Sequence, residues 1–341
     1  MTFAKYAITS ATILIASGLE AQDTFELTLS HFFPEAGGSH NDAILPWVEE
    51  LEKRSEGRIS VTIRGRESWL GDIAQQFDQA KNGLSDIALG VTAVPRGRFN
   101  CTQIVEIPFF VQTSQAADRL LLEMYPDHIG HEYEDVKLIG LWAHDPGVLV
   151  TRGVAVEKPE DLEGLRIGFP TPFMASFLSD LGAEPVILLP RATQAAFENG
   201  EIDGAYVPWE RIWISGLGGP DTNVLDLGAF TVPLFLIMNN AVYDKMPDDL
   251  QEVVDSVSLE AWFNHNGETN RVNFWGEDQD AFHDNVREKF VADGGAIITP
   301  NEALTQLWFN AADATVAALE TELVQTCGQD IVDAAHAFIG R

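Results

Sequence analysis

The sequence predicts an α/β protein built as two doubly wound lobes joined by crossing strands. Three observations carry this expectation. Strand-like and helix-like segments alternate through residues 25–90, a comparable alternation restarts after Gly147, and no linker-like or low-complexity tract separates the two halves. The 341-residue chain is long enough for two lobes of about 100–200 residues each.

Residues 1–21 have the pattern of an export signal. Lys5 gives a positive start, an apolar run extends from Tyr6 to Ala16, and small residues lead to Ala21 before Gln22, the expected cleavage point. No Cys follows that run, which removes lipid attachment there. No later segment reaches the roughly 20 apolar residues that a membrane span needs. The expectation is a periplasmic protein without a membrane anchor.

Phe25-Glu26-Leu27-Thr28-Leu29 alternates with period two and predicts the first strand. Asn41 and Asp42 precede Ile44, Leu45, Trp47, Val48 and Leu51, a helical pattern stopped by Gly57. Ile59, Val61 and Ile63 predict a second strand. Ile73, Phe77 and Ala80 mark a second helix closed by Gly83, and Ile87-Ala88-Leu89 a third strand. Such a β-α-β-α-β unit is half of a doubly wound sheet, which places ligands beyond the carboxyl ends of its strands. The second unit runs from a strand at Leu165–Phe169 through a helix from Pro172 to Leu181 and a strand at Val186–Leu189. A helix from Ala192 to Asn199, stopped by Gly200, and a strand at Gly204–Val207 complete it. From Pro247 to about Lys289 the helical pattern is nearly unbroken, well beyond the usual ~10–14 residues. It reads either as a long brace across both lobes or as two helices broken near Gly267. Ile297-Ile298 predicts a strand, and a last helix pair runs from Asn301 onward.

The formal charge is −31, from 21 Lys and Arg against 52 Asp and Glu. That balance excludes nucleic acid as a partner, because phosphate neutralisation needs basic patches, and it opposes docking on anionic lipid. Cys101 and Cys327 are the only thiols. In an oxidising compartment such a pair favours a disulfide, with two separately buried thiols as the alternative. His128, His131 and Glu132 have helical spacing, but a metal centre needs more ligands than that run supplies. Gly216-Leu217-Gly218-Gly219-Pro220 is no nucleotide fingerprint, since Pro220 breaks the segment where a helix should follow. No Gly-x-Ser-x-Gly or His-Glu-x-x-His pattern occurs. Neither an enzyme nor a cofactor is expected.

Several stretches together resemble the solute-binding subunit of a tripartite ATP-independent periplasmic (TRAP) transporter. They are Ser68-Trp69-Leu70-Gly71 with Asn82-Gly83-Leu84-Ser85-Asp86, Lys158-Pro159-Glu160-Asp161-Leu162-Glu163-Gly164-Leu165-Arg166-Ile167, and Leu181-Gly182-Ala183-Glu184-Pro185-Val186. Ala195 through Gly204, Met238-Asn239 and Met246-Pro247-Asp248-Asp249-Leu250-Gln251 complete the set. The resemblance implies a two-lobed, periplasmic-binding-protein-like α/β fold with crossing strands, a long bracing helix and a cleft that closes by hinge motion. It implies a monomeric carrier that hands a small solute to an integral-membrane permease. On this pattern lobe I holds residues 22–145 plus about 231–266, and lobe II holds 146–230 plus about 267–341.

The chain departs from the family where a substrate carboxylate is gripped. Members carry an arginine on the strand after the Asp-Leu-x-Gly motif, where this chain has Gly168, and another in a Gly-x-Arg pattern, where it reads Gly147-Val148-Leu149. Planar two-point gripping makes arginine hard to replace at such positions. Arg166 shares a strand face with Gly168 but sits about 6–7 Å back along the strand. The expected cleft is instead aromatic and acidic: Phe33, Trp69, Phe169, Phe173, Tyr206 and Trp209 as rings, with Asp145 and Glu210 as charges. Rings around a cation contribute roughly 0.5–2 kcal/mol each. The expected ligand therefore carries an amine-like, cationic or zwitterionic head. The alternatives are a sugar acid or other organic acid met by Arg66, Arg152 or Arg191, and, from a different class, an exported hydrolase.

Overall fold

The computed structural model describes residues 23–35, 37, 39–259 and 279–340. The expected export segment over 1–21 and the expected break near Gly267 lie outside the described residues. Among the described residues, strands form two sheets.

The first sheet has the order β2-β1-β3-β10-β4 and contains β1 (Phe25–His31), β2 (Ile59–Arg64), β3 (Ile87–Val91), β4 (Val136–Ala143) and β10 (Pro233–Asn239). β1 runs parallel to both β2 and β3, pairing Leu27 with Val61 and Leu29 with Ile87. β10 is antiparallel to β3 and β4, and every one of its residues is buried. A central strand covered on both faces has no reason to alternate. The second sheet has the order β11-β9-β5-β8-β6-β7, formed by β5 (Gly147–Arg152), β6 (Arg166–Phe169), β7 (Glu184–Ile187), β8 (Gly204–Val207), β9 (Thr222–Phe230) and β11 (Ala296–Ile298). The parallel strands are those the sequence predicts. The antiparallel strands β4, β5, β9 and β10 are the additions.

Those additions make the crossings. β4 ends at Ala143 in the first sheet and β5 begins at Gly147 in the second, while β9 returns through residues 231–232 into β10. The two connections are bonded to each other. The Val232 amide donates to His144 Nε2 at 3.1 Å, and the Thr231 hydroxyl donates to the His144 carbonyl. They also run too close for side chains: a Cβ on Gly147 would strike the Phe230 ring, and one on Gly228 would strike Pro146.

Helices cover the sheets: α1 (Leu45–Arg54), α2 (Gln76–Lys81), α3 (Ser114–Met124), α4 (Pro172–Asp180), α5 (Pro190–Glu198), α6 (Trp209–Ile214), α7 (Asn240–Tyr243) and α8 (Asp248–Ser256), then α9 (Gln279–Ala292), α10 (Glu302–Cys327) and α11 (Gln329–Ile339). Among the described residues the helix that reaches both sheets is α10; of the stretch 247–289, residues 260–278 lie outside the described residues. In α8, Leu250 and Val254 bury against Trp47 and Leu51 of α1, so this apolar stripe belongs to a short helix on the first sheet. α10 has 26 residues, which spans about 39 Å at helical rise. Asn301 starts it, accepting the Leu304 amide at 3.0 Å. Its Trp308 and Ala312 pack with Met174 and Phe177 under the second sheet. Leu319 and Leu323 pack with Phe110 and Leu120 under the first. Ile331, Val332 and Ala335 of α11 join that first cluster, although the sequence reading gave residues 267–341 to the second lobe.

Cys327, the last residue of α10, is disulfide-bonded to Cys101, with Cα atoms 5.7 Å apart across 226 residues of sequence. The bond anchors the far end of the brace to the first sheet's cluster, which contains Cys101. Closing so long a loop removes unfolded-state freedom. Reduction, or a Cys327→Ser variant, should therefore cost about 2–5 kcal/mol in denaturant unfolding.

Glu106 closes the short turn Thr102–Glu106 and is fully buried, its Oε1 3.4 Å from the Thr92 hydroxyl. Burial pushes its pKa up from 4.5 to about 8, with the Thr92 hydroxyl pulling the other way. The folded chain holds this proton where the unfolded chain has released it. The stabilisation is complete below pH 4.5 and lost as pH rises through 8. Glu106→Gln should flatten that stretch of a stability–pH curve, with a difference on the order of 3 kcal/mol at pH 8.

Candidate functional site

Between the sheets lies a cavity of about 110 Å³, walled by residues that follow the carboxyl ends of strands. Phe32 and Phe33 follow β1, Ala93 and Val94 follow β3, Pro170 follows β6, Leu188 and Leu189 follow β7, and Pro208 follows β8. His144 and Val232 of the crossings, with Leu234, close another side. This is the ligand position that strand order in an open α/β sheet dictates. The lining is overwhelmingly apolar. At this size it suits one small ring or branched chain rather than a drug-sized molecule.

Five polar side chains interrupt it, His144, Thr193, Tyr206, Glu210 and Arg211, and the last three bear on charge and proton donation. Arg211 lies on α6, which starts immediately beyond β8 and Pro208. Removal from water holds its pKa below the ordinary arginine range, Arg66 opposes its charge, and Glu210 supports it. Among the described residues no carboxylate makes an ion pair with its guanidinium, so a charge that remains protonated in any protein faces the cavity. Tyr206 is buried, and desolvation raises its hydroxyl well above the usual range, leaving a neutral donor. Glu210 also lines the cavity and accepts a hydrogen bond from Ser39 Oγ at 2.8 Å.

The model of bacterial extracellular solute-binding protein family 7 matches residues 29–322. The chain belongs to that family. A solute-binding protein of Albidiferax ferrireducens is 26% identical over 246 residues, covering 70% of this chain and 72% of its own. A TRAP solute-binding protein from Rhodoferax ferrireducens T118, in complex with copurified benzoate, superposes with a TM-score of 0.82 at 26% identity, over 93% of this chain and 98% of that one. A marine metagenome TRAP solute-binding protein specific for aromatic acid ligands, in complex with 3-hydroxybenzoate, gives 0.81 at 25% identity over the same shares. The fold is thus the two-lobed one of TRAP solute-binding proteins, and the role is solute binding for transport.

In this family 7 protein the expected site residues scatter. Phe33, Tyr206 and Glu210 line the cavity. Phe169 sits in the cluster under the second sheet with Met174 and Phe177, and Phe173 joins the cluster under the first. Trp209 points the other way: its indole donates to Asp226 at 2.9 Å, and the Arg287 guanidinium lies 5.0 Å from its ring. Trp69 is 75% exposed on the loop after β2. The Asp145 carboxylate accepts from the Ser114 hydroxyl at the start of α3. An aromatic cage therefore does not assemble, because alternate residues of a strand and successive residues of a helix face opposite ways.

The positions where the family resemblance puts arginines carry none: a Cβ on Gly168 would lie 3.0 Å from Ile202 Cδ1 and 3.3 Å from Leu188 Cδ1, and Val148 and Leu149 are core. Arg166 is spent on a two-point pair with Asp203, at 2.7 and 3.0 Å. Arg152 stacks on Phe197, and Arg191 is exposed. Arg211 lines the cavity but was not among the residues expected from the sequence. Its signal was its place two residues beyond Trp209, at the carboxyl end of a predicted strand.

A histidine pair lies behind the cavity-lining Phe33. His31, buried at the end of β1, accepts the Phe33 amide on Nδ1 at 3.2 Å, and its Nε2 lies 2.9 Å from His40 Nδ1. Burial first, then the neighbouring His40, lowers the His31 pKa from 6.5 to about 4, against smaller opposing effects of Glu67 and Phe33. The unfolded chain takes this proton first. The stabilisation is therefore complete above pH 6.5 and lost as pH falls towards 4. Thermal midpoints between pH 7 and 4 should fall less steeply for His31→Gln than for the parent, the difference reaching on the order of 3 kcal/mol.

Proposed function

We propose that this chain is exported, binds an aromatic or similarly apolar monocarboxylate between its lobes without transforming it, and delivers it to a TRAP permease. The observation that carries this reading is Arg211: a guanidinium at the wall of an apolar cavity, with no described carboxylate paired to it. Desolvating an anion without a counter-charge costs several kcal/mol, and one matched guanidinium reverses that balance. The apolar walls take the ring and Arg211 takes the head, with Tyr206 as a neutral donor for a second oxygen. The ligands named for two relatives at 25–26% identity, benzoate and 3-hydroxybenzoate, have this chemistry. Export follows from the Lys5-to-Ala21 pattern. The lobe division at about residues 145 and 231 follows the crossings.

An amine-like ligand is favoured by one feature, the Glu210 carboxylate in the lining. That carboxylate is already engaged by Ser39, and Arg211 beside it repels a cation. With Phe169, Phe173 and Trp209 in the core, the rings left to a cation are Phe32, Phe33 and Tyr206, which reduces the cation–π contribution.

Calorimetry against benzoate, 3-hydroxybenzoate, mandelate, succinate, choline and ethanolamine separates the readings. Benzoate-like acids should bind one to one without turnover. Arg211→Ala should weaken them by about tenfold to a hundredfold, as loss of a charged hydrogen-bond pair does. Arg211→Lys should recover only part, because a point charge does not reproduce a planar fork. Binding of choline or ethanolamine alone would overturn the carboxylate reading.

A further inference from the structure

We propose that Ser39 and Glu210 form the contact that holds the cleft shut over bound solute, so that this pair sets the rate of release. The inference rests on the carrier reading above; the Ser39–Glu210 contact itself does not depend on the class of ligand, whereas its coupling to occupancy takes the ligand as a carboxylate. Ser39 opens the helical turn Ser39–Ile44 beside the first sheet, and Glu210 is the second residue of α6 beside the second. The 2.8 Å hydrogen bond joins residues 171 apart in sequence. The crossings are continuous chain and α10 packs into both clusters, so neither can be undone by a small rotation of the lobes. The Ser39–Glu210 bond can, because separating the rims breaks it without disturbing either core.

The first-sheet side of this contact is preset. The Phe33 amide occupies Nδ1 of His31, so the neutral ring carries its proton on Nε2 and donates it to Nδ1 of His40, the residue after Ser39. Alongside, the Arg66 amide donates to the Phe33 carbonyl at 3.0 Å and the Gly65 amide to Glu35 Oε1 at 3.2 Å. The Glu35 amide donates to Glu67 Oε2 at 3.3 Å. These bonds staple the loop after β1 to the loop after β2. A turn held in this way loses little freedom when it meets its partner.

The second-sheet side couples the contact to occupancy. Glu210 and Arg211 are successive helix residues and so diverge, one towards Ser39 and the other along the cavity wall. Their opposite charges attract. A solute carboxylate on Arg211 neutralises that pull and leaves Glu210 to Ser39, so the closed arrangement gains affinity that the open one lacks. A ligand shifts a conformational equilibrium only through such a difference.

The full chain tests this in two independent ways. With benzoate as the probe and tryptophan fluorescence as the readout, Ser39→Ala and Glu210→Ala should each raise the dissociation rate about tenfold, with association within about twofold. Their double variant should be no worse than either single, and Glu210→Gln, which keeps an acceptor oxygen, should recover part of the loss. Unchanged release, or additive effects of the two singles, overturns the proposal. Without any ligand, a chain carrying both Ser39→Cys and Glu210→Cys should cross-link on oxidation and scatter as a more compact particle than the uncross-linked parent. Failure to cross-link overturns the proposal whatever benzoate does. Cross-linking with compaction supports it even where benzoate does not bind, which would count against the ligand class alone.

Discussion

The two connections at residues 144–146 and 231–232 are the constraint on which the rest of the molecule depends. Each leaves one sheet and enters the other, and they are bonded together through His144, Thr231 and Val232. Because they pass at backbone distance, Gly147 and Gly228 have no room for a side chain. Two sheets joined by these crossings present the carboxyl ends of their parallel strands to each other. The cavity is the space left between those ends, with the crossings as part of its wall. Fold and site thus follow from one packing requirement.

The brace answers a problem that the crossings create. Two short connections alone leave the sheets free to rotate, and α10 limits this by entering the cluster under each sheet at opposite ends. The disulfide at Cys327 prevents its last turn from fraying away from the first sheet. The lobes are then restricted to the kind of motion that a cleft protein needs: small rotation about the crossings, resisted and guided by one long helix.

Electrostatics divides by distance. A chain of charge −31 repels anions at long range, but that field is screened within about 8–10 Å in ordinary salt. Inside the cleft the balance is local. Arg211 stands among apolar walls where its interactions are screened least, with Arg66 in range and Glu210 turned to Ser39. The acidic surface therefore speaks to solubility, while inside the cavity the half-buried Arg211 guanidinium dominates the local balance.

What the sequence determined by itself is everything that depends on local pattern. Period-two and helical spacing located β1, β2, β3, β6, β7 and β8 with the helices α1, α2, α4 and α5, and the order of short motifs identified the family. It also placed the cavity correctly beyond the carboxyl ends of strands, since that rule follows from connectivity. Tertiary structure decided which side chains reach it. Trp209, Glu210 and Arg211 are adjacent in sequence, yet one enters the core against Asp226, one crosses to Ser39 and one lines the cavity. Likewise Phe33 borders the cavity while Phe169, equally close to a strand end, packs beneath its sheet. The bracing role of α10 was likewise out of reach of a local pattern, because it rests on the presence of two cores, one under each end of that helix. Direction of a side chain and choice of partner are set by the packing of distant segments, which a local pattern does not contain.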